Sequence, residues 1–257
     1  MSEVFSLLSR LAEGKSVSEV WDQAAGYFAD LGFSRCNYGF TRFHGTRNFG
    51  DPDDALFLTT CDQDYAHFYF RNGFFARTPA FRWAQTHNGA CTWSWVREAF
   101  LAGRLTPEEA ETVRQNAALG IVAGISISFP ETSSRAKGAM GLIADQGITA
   151  EDVELIFKEK QNELMAIAHM MHLRIIQLPL PVHRRPLTDR QREALEWVAD
   201  GKTTQDVALL MGVSAAMVEK HLRLAREALS VDNTTQAVAK AALLNLIFQT
   251  SRPDLVV

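Results

Sequence analysis

Hydrophobic positions recur at helical spacing through residues 2–11 (Val4, Leu7, Leu8, Leu11). They recur again through residues 17–31 (Val17, Val20, Trp21, Ala24, Phe28, Leu31), with Gly32 placed to end the second run. Residues 36–43 alternate instead and are rich in aromatics, the pattern of a strand, and residues 56–60 predict a second one. The polar stretch 46–54 between them reads as a loop. Residues 62–72 and 79–86 predict short helices on either side of a corner at residues 73–78. Thr106, Pro107 and Glu109 then form a helix start, as N-cap, first and third positions. That helix should run to about Leu119 and stop at Gly120. Two apolar runs, 121–129 and 139–144, flank a polar stretch with Pro130, Ser133, Ser134 and Lys137, which predicts an antiparallel hairpin. Thr149 caps a long amphipathic helix through residue 177, with Asp152 at its third position and apolar residues from Val153 to Ile176. A helix of that length covers a sheet face, a partner subunit, or both. The order predicts an α+β fold for residues 1–177, a sandwich of helices around a sheet.

The pattern changes at residues 178–186, which hold three prolines and two arginines in nine residues. Proline blocks helix continuation, so this stretch predicts an extended linker. Residues 187–257 then read as an all-helical domain. Thr188 and Gln191 open its first helix and Gly201 ends it. Thr203 or Thr204 caps a second helix through Met211, with Val207, Ala208, Leu210 and Met211 inward. Gly212-Val-Ser214 forms a tight turn, and Ser214 caps a third helix through about Leu229. A fourth starts at Thr234 or Thr235 and runs to Phe248. Two short helices joined by a Gly-containing turn are the helix-turn-helix arrangement, whose second helix enters the DNA major groove.

Composition narrows the function classes. The chain has 257 residues, 47% hydrophobic and 22% charged, an ordinary globular balance with room for two domains. No apolar run approaches the ~20 residues of a membrane span. The first residues lack the basic start and apolar core of a secretory signal, so a cytoplasmic location is expected. Cys36, Cys61 and Cys91 are odd in number and widely spaced, which fits reduced, buried small hydrophobes. The histidines form no metal spacing, and His169 and His172 read as helix-surface residues. A phosphate loop and a nucleophile elbow are both missing, which argues against an enzyme. Net charge is −4, so no global basic signature marks a nucleic-acid partner. Periodicity alone leaves the polar face of the third C-terminal helix open between a solvated surface and a DNA-reading one.

The landmarks Leu187, Thr188, Arg192, Glu193, Gly201, Ala208, Gly212, Ser214, Val218, His221 and Ala237 give the C-terminal run its character. At this spacing it resembles the LuxR-type helix-turn-helix over about sixty residues. The resemblance implies a double-stranded promoter DNA partner, a homodimer formed through the 149–177 helix and the helix after Thr235, and contact with RNA polymerase. It assigns the DNA interface to Thr203, Thr204, Ser214, Met217, Glu219, Lys220, His221, Arg223 and Arg226. Arginine can pair bidentately with guanine, and Arg223 is the first candidate for base contact. Met217 and Glu219 depart from the family pattern; a glutamate accepts from cytosine N4 but repels phosphate.

Ten aromatic residues crowd residues 68–100, enough to fill a core or to line an apolar pocket with a few polar anchors. The run Tyr69-Phe-Arg-Asn-Gly-Phe-Phe-Ala-Arg-Thr-Pro79, Trp93 fourteen residues later, residues 119–126 and residues 138–142 resemble the autoinducer-binding domain of quorum-sensing LuxR-type regulators. That resemblance implies an α/β/α sandwich holding a small apolar signal, an N-acyl-homoserine lactone with a long acyl chain, and no cofactor or metal. The implied contact residues are Cys61, Tyr65, Tyr69, Thr78, Trp83, Trp93, Ser126 and Gly141. Relatives carry Asp where Thr78 stands, Trp at Tyr65, Tyr at Cys61, and Ser or Thr at Gly141. The anchors are therefore altered, and a ligand-independent regulator, or one answering to another small molecule or to protein partners, is the alternative.

Overall fold

The computed structural model describes residues 3–45, 50–180 and 185–249. The expected loop at 46–54 and the expected linker at 178–186 lie partly outside those residues, at 46–49 and 181–184. Contacts divide the chain into two units, Met1–Ile175 and Ile176–Val257.

The first unit opens with α1 (Glu3–Glu13) and α2 (Val17–Asp30), the latter capped by Ser16, whose hydroxyl accepts from the Glu19 N–H. Then come β1 (Arg35–Thr41), β2 (Leu56–Thr59), α3 (Gln63–Ala66), a π-helical turn at His67–Arg71 and a 3-10 turn at Phe74–Arg77. α4 (Pro79–Thr86), β3 (Gly89–Thr92), α5 (Ser94–Leu101) and α6 (Pro107–Ala118) follow. The hairpin β4 (Gly124–Ser128) and β5 (Lys137–Ile143) leads to α7 (Ala150–Gln177). Thr106 and Glu109 form the expected capping box of α6, and Thr149 and Asp152 bond reciprocally at the start of α7. All strand pairs are antiparallel, in the order β2-β1-β5-β4-β3. The order of elements matches the α+β expectation.

Three local readings are corrected. The 62–72 segment is not one α-helix: α3 gives way to a π turn after Ala66. β3 and α5 carry no helix or strand pattern of their own; β3 is held by its ladder to β4, and α5 starts without a side-chain cap. His172 is not on a helix surface. It is 2% exposed, its Nδ1 lies 2.9 Å from the Tyr38 hydroxyl, and its ring stacks on Phe129 at 4.1 Å. Of the cysteines, only Cys36 is fully buried; Cys61 and Cys91 are half-buried.

In the second unit, α8 (Asp189–Ala199), α9 (Thr204–Met211), α10 (Ala215–Leu229) and α11 (Thr234–Leu243) enclose a core of Ala194, Leu195, Val207, Met211, Val218, Leu222, Ala225 and Ala241. Leu178 and Leu180 are buried in this unit: Asn245 donates to the Leu178 carbonyl, and the Leu180 N–H donates to the Leu244 carbonyl. α11 is capped by Asn233 and ends at Leu243, short of Phe248, where Asn245 and Phe248 take left-handed backbone. Leu210, expected inward, is exposed.

Candidate functional site

Side chains directly opposed across antiparallel strands share a face of the sheet. Tyr38 opposes Met140, which opposes Ile127; Cys36 opposes Leu142, which opposes Ile125. That face is filled by large apolar groups and meets α7 through His172 and α2 through Trp21. The other face carries small residues. Asn37 opposes Gly141, Gly39 opposes Ala139, and Gly141 and Cys91 both oppose Ser126. The Trp93 indole lies over this face: a Cβ on Gly124 would come within 2.9 Å of the ring, and one on Gly141 within 3.9 Å.

Small side chains here leave space that α4, α5 and α6 roof over. A cavity of about 310 Å³ is lined by Tyr65, Tyr69, Thr78, Trp93 and Gly141, and on its apolar side by Val96, Phe100, Val113, Ile121 and Ile143. An adjoining cavity of about 70 Å³ adds Ser126, Phe57, Phe75 and Phe81, and the two share Asn37, Tyr69, Ala80, Trp93 and Gly141. Six of the eight expected contact residues thus line one or both cavities. Cys61 and Trp83 line neither: the Cys61 N–H donates to the Thr59 hydroxyl, and Trp83 stacks on His87 with centroids 5.3 Å apart. Asn37 and Asn116 escaped the sequence reading. The spacing Val113, Asn116, Ala117 puts one wall of α6 on the cavity, which was the usable signal.

The polar groups have definite roles. Trp93 Nε1 donates to Ser126 Oγ at 2.9 Å. Thr78 is the N-cap of α4: its hydroxyl donates to the Phe75 carbonyl at 2.8 Å and accepts from the Phe81 N–H at 3.2 Å. Tyr65 and Tyr69 stack with centroids 5.4 Å apart. Burial pushes both phenols well above their ordinary range, the Asn37 side chain opposing the shift at Tyr65, so both remain O–H donors. Asn116 Oδ1 is buried with no hydrogen-bond partner among the described residues. Arg97 stands at the rim, bonded to Glu151 at 3.1 Å. Among the described residues no Asp or Glu lines either cavity, no group of His, Cys, Asp and Glu is set to hold a metal, and no helix is long and apolar enough to cross a membrane.

In the second unit, α9 ends at Gly212, whose left-handed backbone (φ 65°) turns the chain into α10. Thr203 and Ser214 are N-caps, accepting from the Asp206 and Met217 N–H groups at 3.2 and 3.3 Å. Val218, Leu222 and Ala225 of α10 face the core, which leaves Met217, Glu219, Lys220 and Arg223 outward, with His221 and Arg226 half-buried. The Thr204 hydroxyl donates to Glu219 at 3.0 Å, bridging the two helices. Arg223 pairs with Glu227 one turn on, and Arg226 donates to Thr234 at 2.9 Å, tying α10 to α11. Thr203, Ser214 and Arg226 therefore hold the motif together, while Lys220 and Arg223 present cations on its outer face.

The sequence model of the autoinducer binding domain matches residues 16–175, and that of the luxR family of bacterial regulatory proteins matches residues 185–241. The quorum sensing-dependent transcriptional regulator RpaR of Rhodopseudomonas palustris is 29% identical over 203 residues, 79% of each chain. The transcriptional activator AnoR of Acinetobacter nosocomialis is 22% identical across 94% of this chain and 97% of its own. The fold is that of the Escherichia coli SdiA crystal structure, with a TM-score of 0.55 and 19% identity over 96% of this chain and 99% of that one. With a sensor domain and a DNA-binding domain both matched, the chain belongs to the LuxR-type quorum-sensing transcriptional regulators, a family of DNA-binding regulators rather than enzymes.

Proposed function

We propose that the protein controls transcription in response to a small apolar signal with a long acyl chain, of the N-acyl-homoserine lactone kind. The observation that carries this is the cavity over the small-residue face of the sheet, about 310 Å³ with an apolar wall and a few convergent hydroxyl groups. Ligand burial there would stabilise the sensor unit by mass action. The DNA partner is a promoter operator met by the outer face of α10, and binding falls steeply with salt. A homodimer sets two such helices one DNA turn apart. Leu155 and Leu173, exposed on α7, and Leu243, exposed on α11, support that assembly. Contact with RNA polymerase and action in the cytoplasm complete the reading. A ligand-independent regulator is the second reading, favoured by one observation: the Thr78 hydroxyl is engaged by its own backbone.

Native mass spectrometry of protein produced with and without long-chain N-acyl-homoserine lactones tests the ligand. A bound mass and raised solubility are expected; equal solubility with no bound mass in both would leave the second reading. Arg223→Ala tests the interface: on a mapped operator it should cost about 1–3 kcal/mol and relax specificity at one base pair. Unchanged affinity and specificity would contradict the assignment.

A further inference from the structure

The hydrogen-bonding groups that line the two cavities are mismatched in kind. Tyr65 and Tyr69 each carry an O–H, and no acceptor for either is found among the described residues. Ser126, 4% exposed, already accepts from Trp93, which leaves its own O–H to donate. Three donors thus surround the part of the cavity bounded by Asn37, Trp93 and Gly141. Acceptors are scarce. Thr78 Oγ1 has given its proton to the Phe75 carbonyl and one lone pair to the Phe81 N–H. No carboxylate lines either cavity among the described residues. Asn116 Oδ1 is without a partner, but it stands on α6 with Val113 and Ala117, on the apolar wall. It lines only the larger cavity, away from Ser126.

We propose that this cavity selects its ligand through carbonyl oxygens and makes no use of a ligand N–H, so that an acyl ester is bound at least as well as the acyl amide of equal length. The inference rests on the cavity being the ligand site. An ester carbonyl and a lactone carbonyl accept from the phenols and from Ser126 as an amide carbonyl does. An amide N–H carried into the same space gives up its water and meets no comparable acceptor. A buried donor left in that state costs far more than a satisfied one contributes. The ligand class is therefore a neutral, carbonyl-bearing amphiphile, with the amide dispensable.

The test uses the full-length protein and two probes, N-dodecanoyl-homoserine lactone and its isostere α-dodecanoyloxy-γ-butyrolactone, in which an ester oxygen replaces the amide N–H. Calorimetric titration should give the ester an equal or lower Kd, with an advantage on the order of tenfold. Tighter binding of the amide overturns the proposal while leaving the cavity as the ligand site. Binding of neither probe overturns the proposal together with the cavity reading. Thr78→Asp provides the second arm. Aspartate is an N-cap as good as threonine, so α4 keeps its start, while the carboxylate adds an acceptor facing the cavity. The amide-to-ester affinity ratio should then move toward the amide by about tenfold or more. An unmoved ratio in a folded variant overturns the proposal, and the wild-type ratio decides it should the variant not fold.

Discussion

The two faces of one sheet have opposite characters. Toward α7, Tyr38, Phe40, Ile125, Ile127 and Leu142 are each at most 1% exposed and leave no space. Toward α4–α6, the same strands present Asn37, Gly39, Ser126, Ala139 and Gly141, and a cavity lies above them. Period-two alternation places both sets from the same three strands. The closed face supplies stability and the hollow face supplies function, so β1, β4 and β5 each do both jobs with alternate residues. Even polar groups divide this way. Tyr38 on the closed face has its hydroxyl held by His172, whereas Tyr65 and Tyr69 over the hollow face keep theirs for a guest.

The sharpest way to break this contrast is to delete volume on each side. Leu142→Ala should destabilise by about 2–5 kcal/mol in urea unfolding, while Ser126→Ala, bordering existing space, should cost no more than about 1.5 kcal/mol. Equal losses would erase the distinction. Adding volume is the next test. A Cβ on Gly138 would lie 2.6 Å from the His172 ring, so Gly138→Ala should cost about 1–3 kcal/mol. Gly141→Ala, three residues along on the opposite face, meets only the Trp93 ring at 3.9 Å and should stay within about 0.5 kcal/mol or stabilise. Reversed signs for this pair would show that the faces had been misassigned. Least severe is Tyr38→Phe, which removes the hydroxyl from His172 Nδ1 and should cost about 1–2 kcal/mol by the same measurement. An unchanged midpoint would mean that this buried pair contributes nothing.

The elements with their own local signals were legible. Thr106, Thr149, Thr188, Thr203 and Ser214 each bond a backbone N–H near the start of the helix they precede, within a few residues of themselves. Gly212 likewise announces its turn, because left-handed backbone there suits a residue without a Cβ. β3 and α5 were not legible, since a four-residue strand made by its neighbour leaves little trace in its own residues. His172 was misread for a related reason: its spacing from His169 says helix, but its burial depends on Tyr38, Phe40 and Phe129 from distant segments.

The sequence by itself determined the order of domains, the helix-turn-helix and most of the residues around the sensor cavity, because alternation, capping and turn chemistry act over a handful of neighbours. Only the tertiary structure decided which hydroxyl groups face the guest. Thr78 and Tyr65 look equally suited in the sequence. Folding engages the first with Phe75 and Phe81 and leaves the second its proton, because hydrogen-bond partners are allotted by what packing brings within about 3 Å.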